Sequence, residues 1–441
     1  MASTAASRLR ILIVGGGYVG MYTALRLQKR LRSELKAKRV EILVVDPRSY
    51  MTYQPFLPEA AAGSVEPRHV VVPLRRVLSR CEVLTGRVEA VDHARRVATV
   101  HPLRGEPYDL SYDVIVLAPG SIARTLPIPG LAEHGIGFKQ VEEAIALRNT
   151  VLEKLDIATT VTDHAARRAL LTFVFVGGGY AGIEALAELQ DMACYATRYY
   201  PELSPSEVRF VLVEAAGRIL PEVGEDLGRY TVEQLRRRGI DVRLDTRLES
   251  CVGGRIVLSD GSEFDAETLV WTAGVKANPV LARTDFPLDD KGRVRCRPDL
   301  RVEGVEGVWA AGDSACVPDL TGVPGTTTSP SAQHAVRQAK VLADNIALVL
   351  NGREPRAYAH KHVGSVASLG MYKGVAEVYG VKLRGFPAWF MHRTYHVSRM
   401  PTFNRKFRIV LDWTLALFFR REVVSLGSLQ RPRDEFSDAA R

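Results

Sequence analysis

Ile11-Leu12-Ile13-Val14-Gly15-Gly16-Gly17-Tyr18-Val19-Gly20 is an apolar run that enters a G-x-G-x-x-G turn. The same arrangement returns at Phe173-Val174-Phe175-Val176-Gly177-Gly178-Gly179-Tyr180-Ala181-Gly182. A strand that feeds a glycine turn and then a helix aims backbone N–H groups and the positive end of the helix dipole at a diphosphate. The first glycine of each copy (Gly15, Gly177) permits the tight turn. The second (Gly17, Gly179) lets the diphosphate approach, and the third (Gly20, Gly182) lets helix and strand pack closely. One such match is weak evidence. Two in one chain predict two bound dinucleotides, and so electron transfer between them.

Outward from each turn the pattern continues in parallel. Val40 to Val45 reads as a strand ending at Asp46, and Val208 to Val213 as a strand ending at Glu214. An acid at that place accepts hydrogen bonds from a ribose hydroxyl. The bland alternative is a surface acid at a strand end, but the order strand, turn, helix, strand favours the ribose role. A carboxylate at Glu214 also repels a 2′-phosphate, which favours NADH over NADPH, with Arg218 nearby tempering the preference. Each half then holds an apolar strand that ends in a glycine turn, Asp113 to Gly120 in the first and Leu269 to Gly274 in the second. The duplication predicts an α/β chain with two Rossmann-type dinucleotide-binding domains. Val308-Trp309-Ala310-Ala311-Gly312-Asp313 adds a buried strand with an aspartate at its carboxyl end, where ligands of open α/β sheets sit. A helix is expected from Ser331 to Leu350, capped near Ser329-Pro330. Residues 48–63 form an aromatic-laden loop, and residues 191–206 read as an insertion.

Composition sets limits on this. No segment carries the 18 or so uninterrupted apolar residues of a membrane span, and Met1 to Arg10 lacks a secretory apolar core. The five cysteines (Cys81, Cys194, Cys251, Cys296, Cys316) are odd in number and nowhere form C-x-x-C, which argues for a reducing compartment and against a structural metal site. The net charge of +9 is concentrated: nine basic residues between Lys382 and Arg421 face one acid, Asp412. That asymmetry points to an anionic partner at the C-terminus. No nucleic-acid-binding pattern accompanies it, whereas Trp and Phe interleaved with Arg and Lys suit a helix lying in a membrane interface. The expectation is that Trp389, Trp413 and Phe418 enter the lipid while Arg405, Lys406 and Arg408 meet headgroups.

On these motifs the chain resembles the two-dinucleotide flavoproteins, and most closely the type II, non-proton-pumping NADH:quinone oxidoreductases. The resemblance implies that Gly15, Gly17, Gly20 and Asp46 bind the ADP half of FAD, with Gly120, Gly312, Asp313 and Ala332 completing that site. It implies that Gly177, Gly179, Gly182, Glu214 and Gly274 bind NADH. Ala332-Gln333-His334-Ala335-Val336-Arg337-Gln338 resembles the family's A-Q-x-x-x-Q quinone-site helix, with Arg337 at the second glutamine's place and Gln338 one residue late. Gln333, Arg337 and Gln338 are therefore candidates for the quinone site. Glu184 matches a family glutamate near flavin and substrate; the competing reading is an acid in a helix's first turn, favoured by the dipole alone. His334 reads as a helix-surface histidine. Lys373 lies where some members carry a lysine near the quinone site.

The implied layout is an FAD domain in two parts, residues 1–160 and 286–352, the second part with the quinone-site helix. An NADH domain spans 161–285, and a membrane-anchoring region that can also dimerise spans 353–441. The implied chemistry is hydride transfer from NADH to flavin, then two-electron reduction of a membrane quinone. The protein is expected on the cytoplasmic face as a peripheral membrane protein. Rival readings are a flavin disulfide or peroxide reductase, a sulfide:quinone oxidoreductase, and a membrane-bound NADH sensor of low turnover. The first two need reactive cysteines beside the flavin, and residues 46–63 contain none.

Overall fold

The computed structural model describes residues 8–361, 363–419, 421–425, 437 and 439. Arg420, one of the nine basic residues singled out above, lies outside the described residues. The chain divides into two compact units. One is built from 1–52, 72–122 and 275–362, the other from 53–71, 123–274 and 363–441.

The first unit is organised by a seven-stranded sheet. Its strands run Val308–Ala310, Val114–Leu117, Leu9–Val14, Val40–Asp46, Glu82–Asp92, Val97–Pro102 and Tyr108–Ser111 across the sheet. The first five are parallel and the last two join as an antiparallel extension. Ile11, Leu12 and Ile13 have no exposed surface, as befits a central parallel strand covered on both faces. The helix Tyr18–Arg30 leaves the glycine turn and packs against the helix Ala332–Leu350, tied to it by Arg26 on Asp344 at 2.5 Å.

The second unit repeats the plan. Its parallel sheet runs Gly135–Gly137, Thr268–Trp271, Thr172–Val176, Arg209–Val213 and Asp241–Arg243. In both sheets the glycine-fingerprint strand has the acid-ended strand on one side and the glycine-ended strand on the other. The chain order thus reverses at the fingerprint strand, which leaves a crevice at the carboxyl ends of the strands. The stretch expected as an insertion is partly the continuation of a helix, which runs Tyr180–Ala196 before short turns.

The second unit also holds the C-terminal elements. Gly364–Ser368, Gly374–Val378 and Val381–Arg384 form an antiparallel meander. The helices Phe386–Arg399 and Phe403–Phe418 follow, the second capped by the Thr402 hydroxyl accepting from the Arg405 N–H. No helix among the described residues is long and apolar enough to cross a membrane.

Candidate functional site

The three glycines of the first fingerprint have separable roles. Gly15 has φ +100°, and a side chain there would strike the Ala118 carbonyl. A side chain on Gly20 would collide with the Gly15 carbonyl. A Cβ built on Gly17, by contrast, meets nothing within 4 Å. Gly15 and Gly20 are thus demanded by the protein's own packing, and Gly17 faces open space of the kind a diphosphate needs. The Gly16 N–H donates to Asp46 Oδ2 at 2.6 Å and the Arg48 N–H to Oδ1 at 2.7 Å. Burial pushes the Asp46 carboxyl above the usual range, and these two N–H groups oppose the push.

Across the same crevice, Gly120 (φ +72°) also has open space where a Cβ would be. Its N–H donates to Ser314 Oγ at 2.8 Å, and Ser121 Oγ donates to Asp313 Oδ2 at 2.6 Å. The Gly312 N–H donates to Gln338 Oε1 at 2.7 Å, and Gln338 Nε2 donates to Thr328 Oγ1 at 3.1 Å. Gln338 has no exposed surface, so its side chain braces the turn that carries Asp313. Ala332 opens the helix after the Ser331 cap. An open cradle, an acid at the adjacent strand end and a braced aspartate opposite fit a dinucleotide such as FAD.

The second crevice has the same parts. A Cβ on Gly177 (φ +115°) or Gly182 would meet Thr272, whereas Gly179 and Gly274 (φ +88°) have nothing within 4 Å. Glu214 accepts from the Gly178 N–H at 2.5 Å and the Ala216 N–H at 2.8 Å. Arg218, expected to soften the discrimination against a 2′-phosphate, donates instead to the carbonyls of Val223 at 2.6 Å and Pro221 at 3.4 Å. Its guanidinium is held by its own loop.

Glu184 does not lie in the first turn of its helix, which contains no acid. It is buried, accepts the Ser368 N–H at 2.8 Å and faces His392 Nε2 at 3.0 Å. That contact is off-line for a hydrogen bond, and the buried His392 nitrogens have no aligned partner among the described residues. Burial works against a charge on His392, but the Glu184 carboxylate, with Glu59 beyond, outweighs it and holds the imidazole above its ordinary pKa. The His396 ring lies 4.6 Å from His392, and burial and that neighbour hold it well below the usual value.

Two further buried ion pairs lie in the same unit, Glu59 with Arg393 at 3.2 Å and Glu188 with Arg421 at 3.0 Å. Sequence reasoning missed Glu59, Glu188, Ser368 and His392. The one local signal was the spacing of His392 and His396, one helical turn apart on an aromatic helix.

In the first unit, Gln333 sits one residue inside its helix, and Arg337 Nη1 donates to the Gln333 carbonyl at 3.0 Å. His334, expected on the helix surface, is buried, with Nδ1 2.8 Å from the Tyr358 hydroxyl. The segment after the helix returns over that face, which helical periodicity cannot foresee.

The C-terminal expectation needs correction in detail. Trp389 is only 7% exposed, with Arg393 stacked 4.3 Å from its ring. Trp413 is half-buried and donates to Glu59 Oε2 at 2.6 Å. Both indoles therefore serve the interior. On the two C-terminal helices and just after them, Phe386, Phe390, Phe403 (81%), Phe407, Phe418 (78%) and Phe419 are exposed. Arg393 and Arg421 are likewise spent on buried carboxylates, and Lys382 and Arg384 on Asp226.

All five cysteines are free thiols. Burial raises every one of them, Cys81 to about 12. A thiol-based reductase needs the opposite, a thiolate at neutral pH. This weighs against the disulfide reductase and sulfide:quinone readings.

Residues 9–339 match the profile of the pyridine nucleotide-disulphide oxidoreductase family. The chain is 31% identical over 400 residues to a type II NADH:quinone oxidoreductase of Staphylococcus epidermidis, covering 88% of this chain and 94% of that protein. It is 29% identical over 431 residues to the type II NADH:quinone oxidoreductase of Mycobacterium tuberculosis, covering 94% and 89%. In fold it is similar to the NDH2 of Plasmodium falciparum solved with NADH, with a TM-score of 0.87 at 17% identity over 95% of this chain and all of that one. Two glycine cradles with their own acids, in a chain that matches these relatives nearly end to end, place it in the pyridine nucleotide-disulphide oxidoreductase family and, within that, among the type II NADH:quinone oxidoreductases.

Proposed function

We propose that this protein oxidises NADH and delivers the two electrons, by way of FAD, to a membrane quinone, with no proton moved across the membrane. The observation that carries the reading is the pair of open cradles at Gly17 and Gly179, each beside its own carboxylate, in a member of this family. Gly17, Asp46, Gly120, Gly312 and Asp313 would hold FAD. Gly179, Glu214 and Gly274 would hold NADH, and Glu214 would disfavour a 2′-phosphate. When bound, the flavin supplies the redox chemistry that couples a hydride donor to a quinone.

The balance is NADH, one proton and quinone giving NAD⁺ and quinol, so each turnover draws one proton. The Glu184–His392 pair keeps an exchangeable proton out of water beside a carboxylate, which suits it to proton transfer. Gln333 would orient the quinone carbonyl through its amide.

The helices Phe386–Arg399 and Phe403–Phe418 would lay their exposed aromatics on a membrane surface, on the cytoplasmic face where NADH is available. The competing occupant of that face is a second copy of this chain.

Anaerobic stopped-flow spectroscopy tests the electron path. NADH should bleach the flavin absorbance, and a short-chain quinone should restore it. Bleaching without recovery would favour the low-turnover sensor, and no bleaching would remove the NADH site.

A further inference from the structure

Glu184 and His392 are both buried, so a proton spent at this pair must be replaced through a neighbouring group. Most neighbours lead inward. Glu59, which faces His392 from the helix Leu57–Ala61, is held by Arg393 at 3.2 Å and by the Trp413 indole at 2.6 Å. Glu188, one turn after Glu184, takes the Ser368 hydroxyl at 3.3 Å and Arg421 at 3.0 Å. Both carboxylates are buried in their turn, and a guanidinium keeps its proton at any working pH.

His396 differs from all of these. It sits one turn after His392 on the helix Phe386–Arg399, so the two rings share a helix face. Their centroids are 4.6 Å apart with the planes at 66°. His396 alone in this group of histidines and carboxylates is half-buried rather than buried. Its surroundings are aromatic. The Tyr53 hydroxyl lies 3.4 Å from Nδ1, and the Phe56 and Tyr395 rings stand edge-on at 6.0 and 5.1 Å. Burial and the neighbouring His392 hold His396 well below the usual histidine range, so it is neutral at physiological pH. In either tautomer a neutral imidazole offers one bare nitrogen and one N–H, and can accept a proton at the first while releasing one from the second. No aligned hydrogen bond to a described residue pins the His392 ring, which leaves it able to turn between Glu184 and His396.

We propose that His396 is the proton port of the second unit, relaying protons from water to His392 and so recharging the Glu184–His392 pair after each turnover. Water supplies a proton to the bare nitrogen of His396, and the N–H on its other nitrogen passes to His392. His396 ends neutral, as it began, and the pair regains the one proton that quinone reduction drew. The proposal rests on reading that pair as the proton carrier.

The test compares His396→Phe, His396→Ala and His392→Gln in the FAD-loaded protein. Phenylalanine keeps a ring against Phe56 and Tyr395 but carries no proton. A pH-indicator dye in weakly buffered solution reads proton uptake while NADH reduces a short-chain quinone. His396→Phe should slow that uptake about tenfold or more. Flavin bleaching by NADH should not change, because a hydride brings no proton from water. His396→Ala should be equally slow, and added imidazole should restore it. A second readout needs neither NADH nor quinone. In protein labelled at its histidine nitrogens, NMR follows exchange of the His392 N–H with water, with the signal assigned by its loss in His392→Gln. His396→Phe should slow this exchange by a similar factor. If His392→Gln slows uptake while His396→Phe changes neither uptake nor exchange, the port fails and the reading of the pair stands. If both variants are silent in uptake, both fail. If His396→Phe loses thermal stability in step with uptake and imidazole does not restore His396→Ala, His396 is only a packing residue and the inference is overturned.

Discussion

Glu59 Oε2 lies 3.2 Å from Arg393 Nη2, with both side chains almost wholly removed from water. Trp413 donates to the same carboxylate oxygen, and the Arg393 guanidinium stacks between Trp389 and Trp413 at 4.3 and 4.8 Å. This cluster fastens both C-terminal helices to the second unit. Removing one partner of a buried pair leaves an uncompensated charge and costs about 3–5 kcal/mol. Arg393→Met should therefore lower thermal stability sharply. The double variant Glu59→Gln/Arg393→Met should recover much of the loss, and denaturant titration of the set would check this.

His392 makes the second unit sensitive to alkaline pH. Its folded pKa is raised above the ordinary 6.5, so its stabilisation is complete below that value and is lost as pH rises through the folded pKa. His396 has a depressed pKa and acts in the opposite sense, only below 6.5. Unfolding free energy should therefore fall as pH rises above 6.5 and through the folded pKa of His392, by at most about 1.4 kcal/mol per pH unit for one proton. His392→Gln should flatten that slope, and a wild-type slope unchanged in the variant would remove His392 as its source.

Gly17 and Gly20 should respond differently to a side chain. Gly17→Val fills open space, so the chain should fold yet purify with little FAD. Gly20→Val drives a side chain into the Gly15 carbonyl and should fold poorly. Flavin absorbance per chain, read beside circular dichroism, separates the two. A yellow, fully loaded Gly17→Val protein would remove the first fingerprint as the FAD site.

NADH should outperform NADPH as donor, because Glu214 would meet the ribose and Arg218 is held by its own loop. A hydrogen bond to a charged group is worth about 1.5–3 kcal/mol, so Glu214→Gln should raise KM for NADH by about ten- to a hundredfold and narrow the gap to NADPH. Steady-state kinetics with both donors decide it. Equal preference in wild type, unchanged by the substitution, would contradict the assignment.

Phe403, Phe407 and Leu415 lie along one exposed face of the last helix, four and then eight residues apart. Changing all three to Ser should weaken flotation with anionic vesicles about a hundredfold or more, since each buried apolar side chain contributes roughly 1.5–3 kcal/mol. Arg405, Lys406 and Arg408 changed together to Glu should also weaken it, most at low salt. Flavin bleaching by NADH should survive both sets. If vesicle binding persists but sedimentation shows a dimer falling apart, the face belongs to a second copy of the chain.

The sequence by itself determined the parts whose partners lie close along the chain. A strand, a turn, a helix and a second strand suffice to bring Asp46 to Gly16 and Glu214 to Gly178, across separations of 30 and 36 residues. Backbone geometry and period carry that information, so both cradles, their acids and the parallel strands around each fingerprint were legible. Only the tertiary structure decided where the buried charges went. Ser368 reaches Glu184 across 184 residues and Trp413 reaches Glu59 across 354, and no local pattern encodes such pairs. The aromatic tail misled for the same reason. A tryptophan among arginines looks identical whether it meets lipid or an internal carboxylate, and Trp389 and Trp413 turn inward because Glu59 and Arg393 await them there. His334 reads as a surface residue until Tyr358, on the segment after its helix, packs against it. What a helix face touches depends on which distant segment packs there, and that is settled by the fold as a whole.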